Sequence, residues 1–110
     1  MEITRLYTGD DGQTHIEYLS PTDARFTSMQ PATGIVFRTT EAGNFLDWHP
    51  APRRQFVITL AGEVEIGLAD GSVHRFGPGH VTLAEDLTGK GHTTRVVGNV
   101  PRITATIPID

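Results

Sequence analysis

Five histidines punctuate the 110-residue chain, at positions 15, 49, 74, 80 and 92. Imidazole is the side chain most readily recruited for proton transfer or metal binding near neutral pH. His49 stands in the richest context, Gly43-Asn44-Phe45-Leu46-Asp47-Trp48-His49-Pro50-Ala51-Pro52-Arg53-Arg54-Gln55, with Gly62 closing the segment that follows. Side chains alternate faces along extended backbone, so His49, Ala51 and Gln55 would point the same way. Trp48, the single tryptophan, either packs in the core or forms a pocket wall that stacks on a flat ligand. Arg53 and Arg54 are consecutive, so one of them should face the Gln55 side, where its forked guanidinium can clamp a carboxylate or phosphate. The alternative for either is a solvated surface arginine. Glu85 and Asp86 are adjacent carboxylates. Such a pair can raise one pKa and supply a general acid or base, although a solvated loop is the plainer reading. Lys90 sits between Gly89 and Gly91, just before His92, and would meet an anionic ligand at a pocket mouth or remain a plain loop lysine. Gly89-Lys90-Gly91 is not a phosphate loop, since no helical pattern follows. His15 and Glu17 read as surface residues on one strand face, and His74 and His80, beside turns, read as exposed.

The elements that must position these residues are strands. No stretch carries a helical period of apolar residues, and twelve glycines and seven prolines leave little room for a long helix. About nine short runs alternate or are rich in β-branched residues: 3–8, 14–19, 34–40, 55–60, 63–68, 72–76, 81–84, 92–97 and 102–107. Gly9-Asp10-Asp11-Gly12 and Asp70-Gly71 are hairpin signals, because their residues tolerate positive φ. Ile35, Val36 and Phe37 suggest a strand buried on both faces. In 63–68, Val64, Ile66 and Leu68 share one side, with Glu63, Glu65 and Gly67 on the other. Residues 21–24 read as a turn or one helical turn, and Gly43 to Pro52 as an irregular bend. Many short strands between closely spaced turns point to an all-β fold, a sandwich or barrel in which closure protects the sheet edges. Residues 1–110 read as one domain.

Composition narrows the partners. There is no cysteine, which removes disulfides, thiolate metal sites and cysteine nucleophiles, and makes an intracellular, cytoplasmic location the simplest expectation. The formal net charge is −4, and the nine Lys and Arg form no basic stripe, so a nucleic-acid partner is not expected. No apolar run approaches membrane-spanning length, and the first residues do not form a signal peptide.

The residues around His49 and His92 resemble the two motifs of the cupin superfamily. Gly43, His49, Gln55 and Gly62 fall on the spacing of its first motif. Ala51 stands where that motif has a second histidine, and Gln55 where it has glutamate. After a spacer with a hairpin at Asp70-Gly71, Gly77-Pro78-Gly79-His80 is similar to the family's Pro-Gly-Asp turn, with His80 in place of the aspartate. Gly89-Lys90-Gly91-His92 is similar to the end of the second motif, although the loop is two residues longer and Glu85 replaces a proline. The resemblance implies a small single-domain, RmlC-like antiparallel jelly roll with a pocket in the barrel, and a homodimer. It also implies a metal site with two of its four ligands replaced: His49 and His92 remain, joined by the amide of Gln55 or by a carboxylate from Glu85 or Asp86. One divalent Fe, Mn, Ni or Zn ion is thus one expectation, and a metal-free pocket is nearly its equal. Three functions follow from the resemblance. They are a metal-dependent enzyme acting on a small organic metabolite, a metal-free isomerase- or epimerase-like enzyme using His49, His92, Glu85 or Asp86, and a non-catalytic small-molecule-binding module.

Overall fold

A computed structural model describes residues 2–109. Its elements in order are β1 (Ile3–Thr8), β2 (Thr14–Leu19), α1 (Ala24–Thr27), β3 (Val36–Thr40), β4 (Phe45–His49), β5 (Gln55–Ala61), β6 (Glu63–Gly67), β7 (Val73–Phe76), β8 (Val81–Glu85), β9 (His92–Val97) and β10 (Arg102–Pro108). They form two sheets, a six-stranded one in the order β2-β1-β8-β5-β10-β3 and a four-stranded one in the order β4-β9-β6-β7. All pairings are antiparallel except β1 with β8, which run parallel from Ile3↔Val81 to Tyr7↔Glu85. The only helix among the described residues is the single turn α1, capped by the Asp23 side chain, which accepts from the Arg25 backbone N–H. Among the described residues no helix is long and apolar enough to cross a membrane.

The sheets enclose a core at one end only. Leu6 of β1 meets Val64, Ile66, Leu68 and Phe76 from the β6–β7 hairpin, all nearly solvent-free. The alternation expected for 63–68 is what puts Val64, Ile66 and Leu68 there. A second cluster, Ile3, Leu19 and Val81 with Phe26, Phe56 and Ile58, includes Phe26 of α1, which meets Phe56 edge-on with centroids 6.4 Å apart. Burying the side chains of both alternating registers is what lets β8 carry the near-continuous apolar run Val81-Thr82-Leu83-Ala84.

Three local expectations need correction. Residues 45–49 form a strand, so the described chain has ten strands. Phe45, Leu46 and Trp48 favour extended backbone, and Pro50 falls just past the strand's end, where it interrupts nothing. A register shift between Leu46 and His49 supplies the irregularity that reads as a bend in the sequence. Ile35, Val36 and Phe37 are exposed, not buried on both faces, because β3 is the outermost strand of its sheet and has β10 as its only neighbour. The helical turn begins at Ala24, where the turn at 21–24 was expected to end.

Candidate functional site

The other end of the sandwich is hollow. Its floor is the face of the large sheet that carries Val36, Arg38 and Thr40 of β3, Gln55 and Val57 of β5, and Arg102, Thr104 and Thr106 of β10. Registers Thr106↔Val57, Thr106↔Val36 and Thr104↔Arg38 put these residues on one side. Leu46, Asp47, Trp48 and His49 of β4 and Thr94 and Val96 of β9 face them across the gap. The cavity measures about 790 Å³ and opens to solvent. An adjoining recess of about 150 Å³ reaches Leu6 and Ile66 of the core and is lined by His49, Ala51, Gln55, His92 and Arg102.

The two histidines are brought together by register. His49 and His92 are direct cross-strand partners at the ends of β4 and β9, with ring centroids 4.6 Å apart. Gly91 permits this approach. Its φ is +79°, and a Cβ there would lie 1.9 Å from the His49 carbonyl oxygen. Each ring is held through Nδ1. His49 Nδ1 donates to the Asp47 carbonyl at 2.6 Å, and His92 Nδ1 lies 2.6 Å from Asp86 Oδ2. A carbonyl only accepts, so His49 carries its proton on Nδ1 and keeps Nε2 as the free nitrogen, and the Asp86 carboxylate fixes the same tautomer in His92.

Asp86 is fully buried, which overturns its reading as part of a solvated loop. Its Oδ2 also accepts from Thr14 Oγ1 at 2.8 Å, so a hydroxyl and an imidazole together neutralise the cost of placing a carboxylate there. Its Oδ1 has no partner among the described groups. Glu85 leaves the loop as well and ends β8. It is gripped by Arg5 Nε at 2.5 Å and by Arg54 Nε. Burial pushes the Glu85 carboxyl up, but the hydrogen bonds and charges of the two guanidiniums outweigh it and hold the group below its ordinary value. The proton-sharing carboxylate pair expected from adjacency is therefore not assembled. The neighbours face different partners, Glu85 two arginines and Asp86 a histidine.

The remaining candidates separate cleanly. Gln55 and Arg53 line the cavity, whereas Arg54 is committed to Glu85. Trp48 is a wall of the cavity and 39% exposed, so it is not a core residue. The Lys90 ammonium sits 4.1 Å from the centre of its ring, a cation–π contact that ties the Gly89–Gly91 loop to β4. His80 is buried, contrary to expectation. It stacks on Phe76 at 3.7 Å with the rings 6° from parallel, and its Nε2 is 3.0 Å from Thr4 Oγ1. His15 remains at the surface with Asp11, and His74 contacts Tyr18. The sequence reading missed Thr14 and Arg102. The signal for Arg102 was its alternation with Thr104 and Thr106, a polar stripe that reads as a solvent face but lines the cavity.

The metal set of the resembling family does not fit these residues. Ala51 has no donor, Glu85 is held by arginines, and Asp86 stands behind His92 on its Nδ1 side, not beside its Nε2. Among the described residues no three His, Asp or Glu side chains are grouped to hold an ion. Two imidazoles and one amide oxygen are a poor set for a transition metal.

A two-sheet jelly roll with this motif geometry is the cupin, or double-stranded β-helix, fold. No family model and no curated protein matches the chain. Solved structures do. A conserved Klebsiella pneumoniae protein with a double-stranded β-helix domain is similar with a TM-score of 0.54 and 18% identity, covering 74% of this chain and 75% of that one. The cupin domain of Schizosaccharomyces pombe Cnp3 is similar with a TM-score of 0.53 and 13% identity, covering 99% of this chain and 88% of that one. A conserved Streptococcus pyogenes protein of unknown function gives 0.52 and 18%, covering 74% and 69%. At these identities the likeness defines the fold alone.

Proposed function

We propose that this cupin binds a small metabolite in its barrel cavity and moves a proton on it without a metal ion. The observation that carries this reading is the buried Asp86–His92 pair, whose imidazole lies in the same recess as His49. Asp86 positions the ring, and His92 Nε2 and His49 Nε2 are the two basic nitrogens available to a ligand. One can take a proton while the other, once protonated, returns it, which is the chemistry of an isomerase or epimerase. Trp48, Val57 and Val36 supply apolar wall, and Gln55 an amide to orient the bound molecule.

The test is deuterium uptake from D2O into a panel of small oxo and hydroxy metabolites, followed by proton NMR with excess chelator. Exchange into at least one compound is expected. It should fall by about 10²–10⁴-fold in His92→Gln. Asp86→Asn, which keeps the shape but loses the charge, should shift the pH profile as well as lower the rate. Adding Fe, Mn, Ni, Co or Zn should change neither rate nor melting temperature. Binding of a panel member with no exchange would make the chain a binding module, and exchange that needs an added metal would restore a metal site at His49, Gln55 and His92.

A further inference from the structure

Seven of the eight arginines of this chain sort into two groups, and the eighth, Arg95, lies over the Phe45 ring. Arg5, Arg25, Arg54 and Arg75 each pair with a carboxylate, and none of them lines the cavity. Arg38, Arg53 and Arg102 line it, and among the described residues none of these three has an ion-pair partner. Among the described residues the sole acidic one on the lining is Asp47, whose Oδ1 already accepts from the Trp48 backbone N–H. A chain with a formal charge of −4 thus has a cationic cavity.

Arg102 is the most telling of the three. It borders both the large cavity and the recess with His49 and His92. Its Nη2 donates to Thr59 Oγ1 at 2.9 Å, but its Nε is shut off from solvent and has no acceptor among the described groups. Burying a guanidinium donor without an acceptor destabilises a fold. The desolvation is large enough to bring Arg102 down to about 10. Such a residue, facing a cavity, is explained by a ligand that completes it. Registers Arg102↔Thr40 and Thr104↔Arg38 make Arg38 its diagonal neighbour on the same face, a second cation for the same charge.

We infer that the cavity takes a small organic anion whose carboxylate is received by Arg102, with Arg38 beside it and the apolar remainder against Val57 and Trp48. This rests on the proposed small-molecule pocket and names the ligand's class. A carboxylate fits the planar fork of a guanidinium, and a small rotation of the Arg102 side chain on binding would open its enclosed Nε–H to a carboxylate oxygen. It would also leave the carbon next to it turned toward the recess where the two histidines stand.

The experiment compares succinate, neutral succinamide and inorganic phosphate on the wild-type chain and on Arg102→Met. Melting temperature and calorimetric binding are the first readouts, and the arginine Nε–H region of a nitrogen–proton NMR spectrum is the second. Succinate should raise the wild-type melting temperature by a few degrees at millimolar concentration and move one buried Nε–H resonance. Succinamide should do neither. In Arg102→Met the succinate effect should weaken at least tenfold. That variant should still fold, with an unliganded melting temperature no lower than wild type, since it removes an unpaired charge. Arg38→Gln should weaken succinate less. Equal binding of succinamide, undiminished binding to Arg102→Met, or an effect of phosphate alone would overturn the assignment, as would no response of the wild-type chain to succinate. His92→Gln separates the two readings. It should keep succinate while losing deuterium exchange, and in the wild-type chain failed exchange with intact succinate binding counts against the catalytic reading only.

Discussion

His80 makes the site's surroundings sensitive to acid. Burial, assisted by the charge of Arg102, brings its imidazole down to about 4 from an ordinary value of 6.5. Its folded pKa is depressed, so the neutral ring's contribution is complete above pH 6.5 and is lost as pH falls from there toward 4, where only the unfolded chain takes up the proton. One proton sets the steepness at no more than about 1.4 kcal/mol per pH unit. Urea midpoints measured at pH 7, 6 and 5 should therefore fall for the wild-type chain. His80→Gln should flatten that dependence, and an unchanged slope would assign it to other groups. At this scale the sequence was half legible. His49, His92 and Gln55 could be set on one pocket from motif spacing and strand alternation, which are local, whereas the choice between Arg53 and Arg54 could not be made. Burial is not local. His80 and Asp86 look like turn and loop residues, and only the partners that come from β1 and β2, Thr4 and Thr14, reveal them as interior.

At the scale of elements, the site depends on two strand ends held in register. β4 and β9 meet at His49↔His92, and Gly91 sets how closely the connection passes. Gly91→Ala would place a methyl group against the His49 carbonyl and the Pro50 nitrogen in a left-handed conformation. The conformational cost alone is about 1–2 kcal/mol. Urea unfolding should register at least that loss, and the ring resonances of both His49 and His92 should shift. A variant with wild-type stability and unmoved resonances would show that this contact does not position the pair. Strand boundaries were largely readable, since β1, β2 and β9 fall on the expected residues. Position in the sheet was not, as β3 illustrates. Its run Ile35-Val36-Phe37 carries a buried strand's composition, yet the edge of a sheet is decided by β10, more than sixty residues later.

Over the whole molecule, the interior is divided between a packed end and a hollow one. Leu6, Val64, Ile66, Leu68 and Phe76 close the first, and threonines and arginines line the second. The packed end should set global stability. Leu6→Ala, at a nearly solvent-free position in that cluster, should lose about 2–5 kcal/mol. The hollow end should open locally at lower cost. In hydrogen exchange followed by mass spectrometry, peptides covering residues 36–40 and 45–49 should take up deuterium first, and those covering β1, β6 and β8 last. Succinate, if seated on Arg102, should slow the first group selectively. Uniform exchange across the chain would contradict the division.

The lone parallel pairing, β1 on β8, bears on how the chain is made. Residues 3–8 take an inner place in the large sheet, but the strand that holds them there is residues 81–85. The β1–β2 hairpin can close in microseconds once synthesised. At ordinary translation rates of about 5–20 residues per second, roughly 3–13 s then pass before its neighbour exists. During that interval the hairpin is an unsupported two-stranded ribbon, with Ile3 and Leu6 uncovered and both edges open. Nascent chains stalled short of β8 should therefore be protease-sensitive throughout, and protection of the first residues should arrive late, together with the last strands of the barrel.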